Sequence, residues 1–181
     1  MAEQPKPPSL ADIVQPPAAV YLRKLDRKTD WGSDETPLEE RAEDVVRLVF
    51  HRDTHPYSVY LVGSDDDLRR LIIGMNGGRP SLSSESYFVA LFPEDLQAIG
   101  LRAEHTPDQG TTECRFARLL HHDVVASEQK IAELCLHLFE QGRAAKYFSK
   151  GRTKLLIPLA EADGCYAAVK DSTSCRVDAC A

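Results

Sequence analysis

The sequence predicts a soluble α+β domain: a mixed or antiparallel sheet of about five or six strands, with about three helices packed mainly on one face. Three observations predict it. Two continuous apolar runs, Ser58–Val62 (SVYLV) and Ser86–Phe92 (SYFVALF), read as strands buried on both faces. Three amphipathic stretches open on capping residues at Thr36, Ser64 and Ser127. The 181 residues are 43% hydrophobic and 28% charged, which suits one globular domain that needs no disulfides.

Residues 1–20 carry Pro5, Pro7, Pro8, Pro16 and Pro17, so they read as a flexible proline-rich arm ahead of a domain over 21–170. Leu10, Ile13 and Val14 suit a short turn docked on the domain surface. Tyr21 to Trp31 mixes Leu22 and Leu25 with four basic residues and reads as an amphipathic turn or an edge strand. Trp31, the single tryptophan, suits a pin between arm and core.

Thr36-Pro37-Leu38-Glu39 starts the first helix: threonine caps, proline takes the first turn and glutamate closes the box. Leu38, Ala42, Val45, Val46 and Val49 keep helical spacing to about Phe50. After SVYLV, Gly63 ends the strand. Ser64 and Asp67 form a capping box, and Leu68, Leu71, Ile72 and Met75 line one helix face up to Gly77-Gly78. Following SYFVALF, Pro93 to Ile99 reads as a short helix and 101–104 as a short strand. Cys114 to Leu120 reads as a strand, and the Ser127 helix buries Ile131, Leu134, Cys135 and Leu138. From Ala144 onward AKYF, TKLLIPL and CYAAV read as a β-hairpin and a third strand, with Pro158 marking an end or bulge. Residues 171–181 are small and polar and read as a frayed tail.

Charge and cysteine usage narrow the function. The formal charge of −6 argues against a generic nucleic-acid or membrane binder, and no apolar run approaches membrane-spanning length. Five scattered cysteines (114, 135, 165, 175, 180) form no CxxC and fit reduced thiols in the cytoplasm.

Two histidine groups carry the sharpest chemistry. His51, Asp53 and His55 lie within one short segment, and His121, His122 and Asp123 are consecutive. Imidazole and carboxylate suit a divalent metal, so the two groups together would serve a metal-dependent hydrolase. Set against that reading, both groups also suit polar ends of secondary structure elements. A histidine-aspartate doublet is also found in HD-domain phosphohydrolases, but in an all-helical setting that this sequence does not share. HRDTHP shares three letters with the protein-kinase catalytic loop, without its asparagine, DFG or glycine-rich loop.

A second candidate is the basic stretch Arg143, Lys146, Tyr147, Lys150, Arg152 and Lys154, whose cations and aromatic residues suit a nucleic-acid backbone. The competing reading is a solvated hairpin whose lysines protect an edge. Alternation places Tyr147 and Phe148 on opposite faces. The leading expectation is therefore a cytoplasmic, non-enzymatic domain that binds another protein or regulates one, with no cofactor and with self-association as an option. The metal hydrolase and the nucleic-acid binder are its alternatives.

Overall fold

A computed structural model describes residues 5–16, 18–33, 35–50, 57–76, 85–109 and 115–165. Its centre is one sheet of six strands, all antiparallel: β1 (Val20–Leu25), β2 (Tyr57–Val62), β3 (Ser86–Leu91), β4 (Ala103–His105), β5 (His121–Val124) and β6 (Lys146–Phe148). The spatial order is β4-β5-β2-β1-β3-β6. The α+β class and the strand number agree with the sequence-based expectation.

Side chains alternate along each strand, and both resulting faces are apolar. Val20, Leu22, Tyr60, Val62, Phe88, Ala90 and Phe148 point to one core. Leu25, Tyr57, Val59, Val89, Leu91 and Val124 point to the other. A sheet that is apolar on both faces needs cover on both. The helices accordingly divide between the two faces, which corrects the expectation that they gather mainly on one. α1 (Leu38–Phe50), α3 (Pro93–Ala98) and α5 (Glu128–Glu140) cover the second face. α2 (Asp65–Asn76), α4 (Arg115–Arg118), α6 (Lys150–Lys154) and α7 (Ile157–Ala162) cover the first.

Local chemistry explains the helix starts. Ser127 Oγ accepts from the Lys130 amide at 3.3 Å, and Ser64 Oγ from the Asp67 amide at 3.1 Å. Asp67 returns to the Gly63 amide at 3.0 Å, one residue earlier than a capping box on Ser64 requires. At α3, Asp95 Oδ2 takes the Phe92 amide at 2.8 Å.

Four expectations are corrected. β1 is an interior strand between β2 and β3, because Val20, Leu22 and Leu25 are buried while Arg23 lies over the Tyr57 ring at 4.8 Å. The stretch before His121 holds the helical turn α4 rather than a strand. The 143–154 hairpin does not form: β6 is followed by α6 and α7, and Pro158 sits in the first turn of α7, where its missing N–H costs nothing. Trp31 pins a 3-10 turn to α5, its ring tilted at 58° against Phe139 with centroids 4.8 Å apart and its indole donating to the Arg143 carbonyl at 2.9 Å. Cys114, Gly77, Gly78 and residues 171–181 lie outside the described residues.

The proline-rich segment also differs from a flexible arm. Across the described part, residues 5–16, Leu10 is 3% exposed, Ile13 6% and Val14 7%, all within the first core. The cause is their spacing at i, i+3 and i+4, which one 3-10 turn at Leu10–Asp12 turns toward the sheet. Among the described residues no helix is long and apolar enough to cross a membrane.

Candidate peptide-binding site

The N-terminal segment lies across α2 and α6, and its contacts form a polar assembly on the first face. Pro7 and Pro8 have no N–H, so their carbonyls are the backbone's only hydrogen-bonding handle. Two arginines take that handle. Arg152 donates from Nε to the Lys6 carbonyl and from Nη2 to the Pro7 carbonyl, both at 2.9 Å. Arg69 Nε donates to the Pro8 carbonyl at 3.1 Å. Three successive carbonyls are thus held by guanidinium groups from two helices.

After the prolines the segment turns, and its donors find carboxylates. Asp65 Oδ1 accepts the Leu10 amide at 2.7 Å and the Ser9 hydroxyl at 3.1 Å. Asp12 Oδ2 accepts the Ser9 amide at 2.9 Å and Arg152 Nη2 at 2.6 Å. Burial works to raise the Asp12 carboxyl, but the Arg152 and Ser9 hydrogen bonds outweigh it and hold Asp12 below its ordinary value. The Asp65–Arg69 pair at 3.3 Å and the placement of Arg152 over the Phe148 ring at 5.2 Å keep the recognition groups in position. Burying each apolar anchor is worth ~1.5–3 kcal/mol. Fixing each backbone residue costs ~1–2 kcal/mol. The two contributions are of one order, so they offset each other to a large extent in this segment.

The structure places the sequence-nominated histidines elsewhere. His51, Asp53 and His55 lie outside the described residues. His121 and Asp123 point to the first face of β5 and are buried. His121 Nδ1 donates to the Thr106 carbonyl at 2.8 Å, which fixes the tautomer. Its Nε2 makes no hydrogen bond and lies 3.5 Å from Asp123 Oδ1. Thr106 Oγ1 donates to Asp123 Oδ2 at 2.8 Å and Ser58 Oγ to Oδ1 at 3.3 Å. This network ties the β4–β5 turn to β2. His122 points to the opposite face, against His105 at 4.8 Å between ring centroids, and burial lowers its pKa from the ordinary histidine value. Alternation therefore separates the two adjacent histidines. Among the described residues no group of three or more His, Cys, Asp or Glu is arranged around a metal position.

The basic stretch is dispersed as well. Arg143 packs over Phe92 and reaches the buried Asp95 at 3.4 Å, while Arg152 holds the N-terminal segment. Phe148 is buried, and Tyr147 is 48% exposed on the edge strand. Tyr147 stacks on Tyr87 with centroids 5.1 Å apart, and both hydroxyls donate to Glu85. Those bonds lower the Glu85 pKa and raise both tyrosines. Lys146 is half-buried on β6, and Lys150 and Lys154 are exposed at the two ends of α6.

The sequence singles out Arg152 only within the basic stretch suited to nucleic acid, and it does not single out Asp65 or Arg69 as partners of the N-terminal segment. Asp65 and Arg69 were legible only as helix-surface charges, and Arg152 lies far along the chain from the carbonyls it holds. Compared with protein-family models, curated proteins and solved structures, the chain has no match.

Proposed function

We propose that the chain is a protein-binding, regulatory domain of the cytoplasm without catalytic activity. Its working surface is the seat formed by Asp65, Arg69 and Arg152, which its own residues 6–14 occupy at rest and a proline-led segment of a partner protein occupies on exchange. The observation that carries this reading is the row of three main-chain carbonyls, Lys6 to Pro8, bound by two arginines. Such contacts read the backbone rather than side chains, and a proline-led segment offers a backbone already ordered before it binds. Leu10, Ile13 and Val14 then add side-chain selectivity. A reducing compartment accords with Cys135, whose thiol is fully buried and in no disulfide. The reading requires neither a metal nor a cofactor.

The test keeps the full chain. A protease site is inserted between residues 17 and 18 and cut, and a labelled peptide of residues 1–16 is titrated in by fluorescence anisotropy. The cut chain should take up the peptide one to one, with micromolar affinity. The uncut chain should bind it at least about tenfold more weakly, because its tethered segment competes at millimolar effective concentration. No uptake by the cut chain, or equal uptake by an Arg69→Ala/Arg152→Ala variant, would contradict the proposal.

A further inference from the structure

Ser9 is the one hydroxyl residue of the segment 6–14. Its Oγ donates to Asp65 Oδ1 at 3.1 Å and accepts weakly from the Ala11 amide at 3.4 Å, while its own amide is held by Asp12. The side chain thus meets one carboxylate, Asp65, and the backbone amide of the same residue meets a second, Asp12. Asp66 and Asp67 follow in the first turn of α2. The neighbouring cations are engaged: Arg69 with Asp65, Asp66 and the Pro8 carbonyl, and Arg152 with Asp12 and two carbonyls. The segment around Ser9 is extended, with Lys6 and Pro7 exposed before it.

We propose that Ser9 is a phosphorylation site that empties the seat. This rests on the seat being exchangeable, as argued above. A protein kinase acts on the undocked segment with ATP as phosphoryl donor. The Ser9 Oγ–phosphorus bond forms, the bridging phosphorus–oxygen bond of the γ-phosphate breaks, ADP leaves, and the hydroxyl proton passes to the kinase's base. Two consequences oppose redocking. The phosphorylated oxygen has no hydrogen to donate, so the Asp65 contact is lost. The phosphate also brings nearly two negative charges beside Asp65 and Asp12. Like charges at hydrogen-bond distance inside a partly buried contact repel strongly. The seat is then open to a partner segment that lacks the modification.

The cut full-length chain provides the test. Three labelled 1–16 peptides are compared by anisotropy: unmodified, phosphoserine at position 9, and Ser9→Ala. The phosphopeptide should bind at least about tenfold more weakly than the unmodified one, and the alanine peptide within about threefold of it. Asp65→Asn in the body should return a large part of the phosphopeptide's loss, which a steric effect alone would not allow. Equal or tighter phosphopeptide binding, the result if the phosphate bridges Arg69 and Arg152, would overturn the proposal. An unchanged loss in Asp65→Asn would overturn its charge basis. If no peptide binds, the exchangeable seat itself falls. If unmodified and phosphorylated peptides bind alike, only the switch falls.

Discussion

The two faces of the sheet are closed in different ways. The second face is covered mainly by two long helices, α1 and α5, each running Leu38–Phe50 or Glu128–Glu140 without interruption and packed on each other, with the short α3 beside them. The first face is covered by α2 and by short pieces from both ends of the described chain: residues 5–16, α6 and α7. Long helices bring many buried contacts for each loop closed. Short pieces rely on side chains such as Arg152 that bridge distant parts of the sequence. A face assembled from separable parts can release one of them while the rest stays folded, and local opening belongs to such regions.

The contrast is broken most severely in the long-helix face. Leu134→Asp places an unpaired carboxylate at a fully buried position of α5 and should cost upward of about 4 kcal/mol. Leu71→Asp on α2 should be of similar severity, since that helix is part of the fixed cover. Thermal unfolding by circular dichroism checks both, and parental melting of either variant would mean its face is misassigned. Deleting residues 1–16 should cost less, about 2–4 kcal/mol or roughly 5–15 °C in Tm, with the sheet still folded. A deletion that melts like the parent would show that Leu10, Ile13 and Val14 contribute nothing to the core.

Smaller changes sharpen the comparison. Arg152→Ala should lower stability by about 1–2 kcal/mol and increase proteolysis before β1 without altering cleavage in α5. Proteolysis at both places alike would remove the distinction. The smallest effect concerns His122, whose folded pKa lies below the ordinary 6.5 because burial disfavours its charged form. The folded state then binds fewer protons than the unfolded chain. Stability is full above the unfolded value and declines as pH falls through it toward the lowered one. Tm between about pH 7.5 and 5.5 should therefore fall more in the parent than in His122→Gln, and equal slopes would remove His122 as the cause.

Much of this architecture is legible in the sequence. The caps at Ser64 and Ser127 and the apolar runs of β2 and β3 each obey one local rule. What escaped depends on partners distant in sequence. β1 looks too basic for an interior strand until Arg23 is seen folding over Tyr57. β5 looks like a metal-binding group because His121 and Asp123 are polar, yet Thr106 holds His121 Nδ1 and, with Ser58, the Asp123 carboxylate in place. TKLLIPL has strand composition, but the helical turn at Ser149 and Pro158 at the start of α7 take it out of the sheet. In the N-terminal segment the prolines suggest a linker, while Leu10, Ile13 and Val14 are legible as a docking turn; how deeply they are buried is not. The site was the least legible part, since no local pattern connects Arg152 to Lys6 and Pro7.

Native-state hydrogen exchange on the intact chain tests the central claim most directly. The amides of Leu10, Ile13 and Val14 are bonded to Asp65 or within the 3-10 turn, and those of Ile131 and Leu134 to Leu138 lie in α5. A detachable segment predicts that the first set opens at a free energy well below that of global unfolding and insensitive to denaturant, while the α5 set opens only with the whole domain. Equal opening free energies for both sets, with the same denaturant dependence, would mean that residues 6–14 are an inseparable part of the core and that the seat does not exchange.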